Sequence, residues 1–305
     1  MFRYFLSRLR LAVITILGVS LIVFVTSRMS GDVTLLLLPQ DASAQEIAAM
    51  QHQLGLDAPY YVQYYKFLWN VAHGDFGQSL RYREPALDLI LSRLPATLEL
   101  AFSAFILSTI VGLLLGIVAA RLRGSWIDYG SRIFSIIAQS MPSFWVGIML
   151  ILVFAVELHW LPTSGAQGVQ YLVLPVVTLA LVPIASTLRI TRSAMLETLD
   201  ADYVKFLRVK GLAERFIVWK HALRNALVPV IAISGLTLGF LIGGTVIIES
   251  VFAWPGLGNL MVEAIFTRDY PVIQAGVAVT SVFLILLNLA VDLLFGVVDP
   301  RVRFE

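Results

Sequence analysis

Six apolar runs, at residues 10–27, 97–120, 131–157, 172–191, 228–250 and 274–297, constrain this chain more than any other feature. Each is near the roughly 20 residues that a helix needs to cross a bilayer. Lipid offers no hydrogen bonds, so such runs must satisfy their backbone internally, as helices. The third run is interrupted at Ser140-Met141-Pro142-Ser143. Proline there predicts a kink within one span, not two separate spans. Composition agrees: 58% of residues are hydrophobic and 14% charged, with mean hydropathy +0.84, against roughly 25% charged in soluble domains. The sequence predicts an all-α membrane protein with six transmembrane helices.

The first run follows Arg3, Arg8 and Arg10. It is longer than the roughly 7–15 residues of a signal-peptide core, and no A-x-A site follows, so it reads as an uncleaved signal anchor. Sixteen of the 22 basic residues fall on one side if the N-terminus is inside, eight of them between Arg189 and Arg224. Of the other six, five sit in the long first outer loop, which is translocated largely regardless of charge. Both termini and the 189–227 segment are therefore expected in the cytoplasm. The expected layout is an anchor helix and helical outer region at 1–95, a five-helix core at 96–300, and a cytoplasmic tail at 301–305.

The outer region carries several helix signals. Ser43-Ala44-Gln45-Glu46 is a capping box opening a short helix to about Leu54. Pro59 opens a second, crowded with Tyr60, Tyr61, Tyr64, Tyr65, Phe67 and Trp69, which suits an aromatic belt or a docking surface. A third short helix is expected from Pro85 to Arg93, feeding through Pro95 into the second span. After the fifth run, Trp254-Pro255-Gly256 is turn chemistry. Leu257 to Phe266 then suits a half-buried helix, and Pro271 opens the sixth span. This loop is either a gate flap or a packed hairpin.

Ionisable groups inside the membrane are few. Glu99 and Glu249 lie near outer ends, and Asp292 near an inner end. No chain of carboxylates and histidines crosses the bilayer, which argues against a proton relay. Candidate pathway groups are Gln139 and Ser140 at the kink, and Ser234 and Thr237 in the fifth span. Gly235, Gly239 and Gly243 share one face of that span. They suit close helix packing or a smooth pathway wall. Gly112 and Gly116 in the second span suit packing.

There is no phosphate loop of the GxxxxGK[ST] type, so the chain is not expected to bind ATP. HExxH and GxSxG are also absent. Cysteine is lacking, and His52, His73, His159 and His221 show no ligand spacing, so no metal site is expected. The net charge of +2 gives no argument for nucleic acid. These absences disfavour an enzyme and favour transport or a membrane receptor.

The basic segment between the fourth and fifth spans is longer than a connection needs. Its apolar residues suit two short helices broken at Gly211, which can take a positive φ. Here the chain resembles the inner-membrane permeases of ABC importers, in the dipeptide/oligopeptide/nickel group. Within the loop, Asp202-Tyr203-Val204, Lys210-Gly211-Leu212, His221-Ala222-Leu223-Arg224-Asn225-Ala226 and Leu227-Val228-Pro229 resemble the family's coupling motif. Leu54-Gly55-Leu56-Asp57, Gly74-Asp75-Phe76-Gly77, Arg93-Leu94-Pro95-Ala96-Thr97, Trp254-Pro255-Gly256-Leu257-Gly258, Arg268-Asp269-Tyr270-Pro271 and Asp299-Pro300-Arg301 match in order. Three departures stand out: Asp202-Tyr203-Val204 for Glu-Ala-Ala, bulky Phe206 and Leu207 before the glycine, and Ser30-Gly31-Asp32-Val33 after span one.

The resemblance implies a type I importer permease fold in a bacterial inner membrane. It implies a second homologous permease, two separate ATP-binding subunits that hold ATP and Mg, and a periplasmic solute-binding protein. The coupling helix would lie at about 200–212, with Asp202, Tyr203, Lys205, Phe206, Arg208, Lys210, Gly211 and Leu212 facing the ATPase. Asp75, Trp254, Arg268, Asp269 and Tyr270 are the outer gate or docking candidates. Short peptides are the expected solute, with nickel or a nickel chelate, or glutathione, as alternatives. A secondary transporter would want inverted repeats and coupling charges, neither of which is clear here. An ABC exporter half would favour a fused ATPase or longer cytoplasmic helices, both absent here. A non-transporting scaffold remains the other rival.

Overall fold

The computed structural model describes residues 2–29, 43–53 and 57–298. The expectations at Ser30-Gly31-Asp32-Val33, Leu54-Gly55-Leu56, Asp299-Pro300-Arg301, the 301–305 tail and the Asp292 side chain lie outside what is described. The described residues are helical and turn segments, with one isolated bridge between Gln78 and Pro85.

The chain divides into two compact units. Met1–Leu94 and Leu260–Leu286 form the first, and Pro95–Asn259 and Leu287–Glu305 the second.

In the first unit, α1 is Phe2–Met29, α2 is Ala44–Gln53 and α3 is Tyr60–Ala72. The capping box forms as expected: the Ser43 N–H and hydroxyl donate to Glu46 Oε2, and the Glu46 N–H donates to Ser43 Oγ. One face of α3 packs on α1. The Tyr64 ring lies 5.3 Å from that of Phe24, and its hydroxyl meets Ser20 Oγ at 2.9 Å. Tyr60, Tyr61, Tyr65 and Trp69 are left exposed.

Helix α4, Ala86–Arg121, is continuous for 36 residues with Pro95 inside it. The short helix expected at Pro85–Arg93 is the first part of α4, running without a break through Pro95 into the second span. Proline removes one ladder bond, but membrane helices accommodate this where neighbouring groups satisfy the freed backbone.

The third apolar run differs more. It forms α5, Trp126–Ser140, and α6, Ser143–Leu150, which continues as π-helix over Ile151–Glu157. The two halves are bent by 104°, not kinked within one continuous span. A proline kink keeps helical dihedrals on both sides. Here Met141 leaves the helical region at φ −89°, ψ 128°, because a following proline disfavours α geometry. Ser125 caps α5 by accepting from the Asp128 N–H.

Helix α7 is Val169–Asp200, α8 Asp202–Val209 and α9 Glu214–Phe216, followed by a π-helical turn, Ile217–Ala222. Then come α10, Leu223–Val251; α11, Leu257–Thr267; and α12, Tyr270–Val298. Among the described residues, four helices are long and apolar enough to span a bilayer, five if the bent pair is one span. The apolar stretch of α1, Val13–Thr26, is shorter.

Within the second unit, α4 and α7 approach closely at Gly112 and Gly116. A Cβ at either glycine would lie 2.6 Å from the Cβ of Thr187 or Thr191 respectively, so these glycines permit the contact.

Candidate functional site

The 202–226 loop is built on a buried base. Val204, Ile217, Val218, Ala222 and Ala226 pack with Ile117 and Ala120 of α4 and Met195 and Leu199 of α7. Val204 is wholly buried. Helix α8 therefore turns one face onto the ends of the long helices. The rest of α8 faces outward: Tyr203, Phe206 and Val209 are exposed, as are Phe216 and Trp219 beyond the turn.

Gly211 makes that turn at φ +77°, with nothing within 4 Å of a Cβ built on it. Its N–H donates to the Arg208 carbonyl, and the Leu212 N–H to that of Leu207. Arg208 spans the break, donating to both carboxylate oxygens of Glu214 and to the Leu199 carbonyl. The Glu214 hydrogen bond raises the Arg208 pKa above its ordinary value. On the surface, Lys205 donates to Asp202 at 2.8 Å and holds that carboxyl below its ordinary value. The Lys210 ammonium lies over the Phe206 ring. The Tyr203 hydroxyl accepts from Asn225 Nδ2 at 2.8 Å, tying the two ends of the motif together. The eight coupling candidates thus occupy one helix-and-turn unit.

The pathway candidates separate into two places. Gln139 and Ser140 line a cavity of about 500 Å³ with Arg132, Arg189 and Arg192. Ser234 and Thr237 donate to carbonyls of their own helix. A Cβ at Gly235 would meet the Val291 side chain, while Gly239 and Gly243 have nothing within 4 Å. One glycine of the stripe therefore packs and two do not.

The outer candidates fall into two fasteners, one in each unit. In the first unit, Asp269 is buried and accepts from the Ser79 hydroxyl at 2.5 Å and the Arg81 N–H at 3.3 Å. Asp75 Oδ1 accepts from the Gly77 N–H. Arg81 pairs with Glu263 at 2.7 Å, and the Tyr82 hydroxyl donates to the same carboxylate. Burial, then Glu263, raises the pKa of the Tyr82 phenol. Tyr270 is buried, and Arg268 is exposed at φ +55°.

In the second unit, the fully buried Glu249 accepts from Thr97 Oγ1 at 2.6 Å and the Asn259 N–H at 2.9 Å. Thr97 Oγ1 in turn accepts from the Leu257 N–H, and Trp254 Nε1 donates to the Ala96 carbonyl. Trp254 is itself 3% exposed. Of the five outer candidates, Asp75 and Arg268 lie at the surface, and Trp254, Asp269 and Tyr270 are internal.

One cluster escaped the sequence reading. Asp128 is fully buried, and its carboxylate accepts from Arg192 Nε and Nη2, Arg132 Nη2 and the Gly124 N–H. The local signals were present. Ser125 and Asp128 have capping-box spacing, and Asp128 and Arg132 are an i,i+4 pair. Arg192, 64 residues on, has no local cue.

Residues 112–304 match the family described as the binding-protein-dependent transport system inner membrane component, and residues 1–101 match its N-terminal companion family. The glutathione transport system permease protein GsiC of Escherichia coli K12 is 42% identical over 306 aligned residues, covering 100% of both chains. The GsiC of Salmonella paratyphi A is 40% identical with the same coverage. Among solved structures, the inward-facing MetNI methionine ABC transporter has a chain of similar fold. Its TM-score is 0.59 at 21% identity, over 69% of this chain and 96% of that one. The chain belongs to the binding-protein-dependent transport system inner membrane component family, as an ABC importer permease of the dipeptide/oligopeptide/nickel group in the bacterial inner membrane.

Proposed function

We propose that this permease carries a small peptide of the glutathione type inward across the membrane. The observation behind this is the 42% identity to glutathione permeases along the whole of both chains. In this reading, a periplasmic binding protein delivers the solute. Two ATP-binding subunits, holding ATP and Mg, supply the energy to a pair of permeases.

The force would enter through α8. Its buried Val204 seats it on α4 and α7, and its outward Tyr203, Phe206 and Val209 offer an apolar surface rimmed by Asp202, Lys205 and Lys210. Such a surface suits an aromatic-centred protein interface with a charged rim. A rigid base matters here, because a push on a loosely held helix would be lost in local motion.

The complete importer, reconstituted in proteoliposomes with its binding protein, should take up labelled glutathione on ATP addition. Unlabelled glutathione should compete better than a dipeptide or nickel ion. ATP-driven uptake of nickel or dipeptides with no glutathione uptake would refute the solute assignment.

A further inference from the structure

The cavity between α5 and α7 holds more positive charge than its structural pairing needs. Three guanidinium groups, Arg132, Arg189 and Arg192, line it. The one carboxylate at hand, Asp128, is fully engaged by Arg192, Arg132 and the Gly124 N–H. Among the described residues, no acidic group pairs with Arg189, which is exposed. The cluster therefore keeps two uncompensated positive charges around about 500 Å³, a volume within the usual range for small-ligand sites.

The surrounding chemistry suits an anion. The Ser135 and Ser140 hydroxyls donate to carbonyls of their own helix, and Gln139 spends one N–H on the Ser135 carbonyl. The donors left for a ligand are thus mainly the guanidiniums, whose planar fork matches a carboxylate.

The cavity also borders the break between α5 and α6, since Gln139 and Ser140 are the last residues of α5. A helix end leaves its final carbonyls without intrahelical partners. Such backbone is tolerated at membrane depth where it is buried in protein or lines a water-filled cavity.

We propose that this cavity is a carboxylate subsite of the pathway, in which Arg189 pairs with a carboxylate of the peptide solute. Asp128 holds Arg192 and Arg132 in position beside it. The assignment rests on the peptide reading of the solute above.

The test uses the assembled permease–ATPase complex, without binding protein, and two probes: N-acetyl-triglycine and its C-terminal amide. Saturation-transfer NMR should show the acid binding about tenfold more tightly than the amide, the scale of one charge-assisted bond. R189Q should abolish that difference, and R189K should restore part of it. Arg189 makes no ion pair among the described residues, so R189Q leaves the Asp128 cluster intact. An acid–amide difference unchanged in R189Q would overturn the proposal. So would displacement of both probes alike by phosphatidylglycerol, which would mark a lipid headgroup site. Failure of the wild-type importer to take up glutathione, with the acid–amide difference intact, would refute the glutathione assignment and leave the subsite standing.

Discussion

Asp128 and Arg192, 64 residues apart, form a two-point ion pair: Oδ1 accepts from Nε at 2.5 Å and Oδ2 from Nη2 at 2.9 Å. The pair fixes α5 against α7 at the rim of the arginine-lined cavity. Removing one partner leaves the other charge uncompensated, which costs more than the pair contributes. D128N should lower the stability of the purified complex by about 3 kcal/mol, since Arg192 is itself mostly buried. Adding R192Q should recover part of that loss, as coupled neighbours do. Thermal unfolding of D128N, R192Q and the double variant measures both effects, and strict additivity would contradict the coupling.

Glu249 fastens the turn after α10. E249A would strip the acceptor from Thr97 Oγ1 and the Asn259 N–H together. The expected cost is about 3 kcal/mol, since each buried donor left without its acceptor costs about 1–3 kcal/mol and some rearrangement will offset it. E249Q, which keeps one carbonyl oxygen, should be milder. Limited proteolysis across 252–259 reads the outcome. Equal cleavage rates in E249A and wild type would contradict it.

Two glycine pairs should behave in opposite ways. G116A places a Cβ 2.8 Å from the Leu188 carbonyl oxygen and 2.6 Å from Thr191 Cβ. Forcing α4 and α7 apart should cost about 1–3 kcal/mol, as overpacking does. G239A meets nothing within 4 Å in this chain and should leave the isolated permease as stable as wild type. Melting temperatures of the two variants make the comparison.

Gly211 differs from both, because its constraint is the backbone. At φ +77° with open space around it, alanine should cost about 1–2 kcal/mol from the left-handed conformation alone. Asparagine, which tolerates that region better, should cost less. Membrane insertion should persist in both variants. Uptake by G211A should fall and that of G211N should fall less, and equal loss in the two would contradict a conformational cause.

Much of the architecture was legible because it rests on local rules. The capping box at Ser43, the turn at Trp254-Pro255-Gly256 and the break at Gly211 are short-range chemistry, and the structure has all three. The bend at Met141-Pro142 is larger than the expected kink. One proline suggests a kink, and the 104° angle follows from Met141 leaving helical dihedrals altogether. The short helix at Pro85–Arg93 does feed through Pro95 into the second span, and the two form one unbroken helix, because packing overrides one lost bond. The motif pieces were recognisable singly, yet their pairing was not. Nothing in Ser79 points to Asp269, or in Thr97 to Glu249. Such contacts lie between about 150 and 190 residues apart and have no periodic signature. The burial of Trp254 and Asp269 follows from those pairings.

In the proposed mechanism, the outward face of Asp202–Val209 receives force from a separate ATPase subunit. Phe206 is its most direct probe: it is 56% exposed, and Lys210 stacks over its ring. F206E should insert and fold normally, because it removes no buried contact. Even paired with Lys210 at i+4, a charged carboxylate in place of the ring at the centre of an apolar interface should weaken ATPase co-purification by roughly 30-fold or more, about 2 kcal/mol at a hot spot. ATP-driven uptake in proteoliposomes should fall with it. Wild-type uptake by F206E, with the ATPase still bound, would contradict the account.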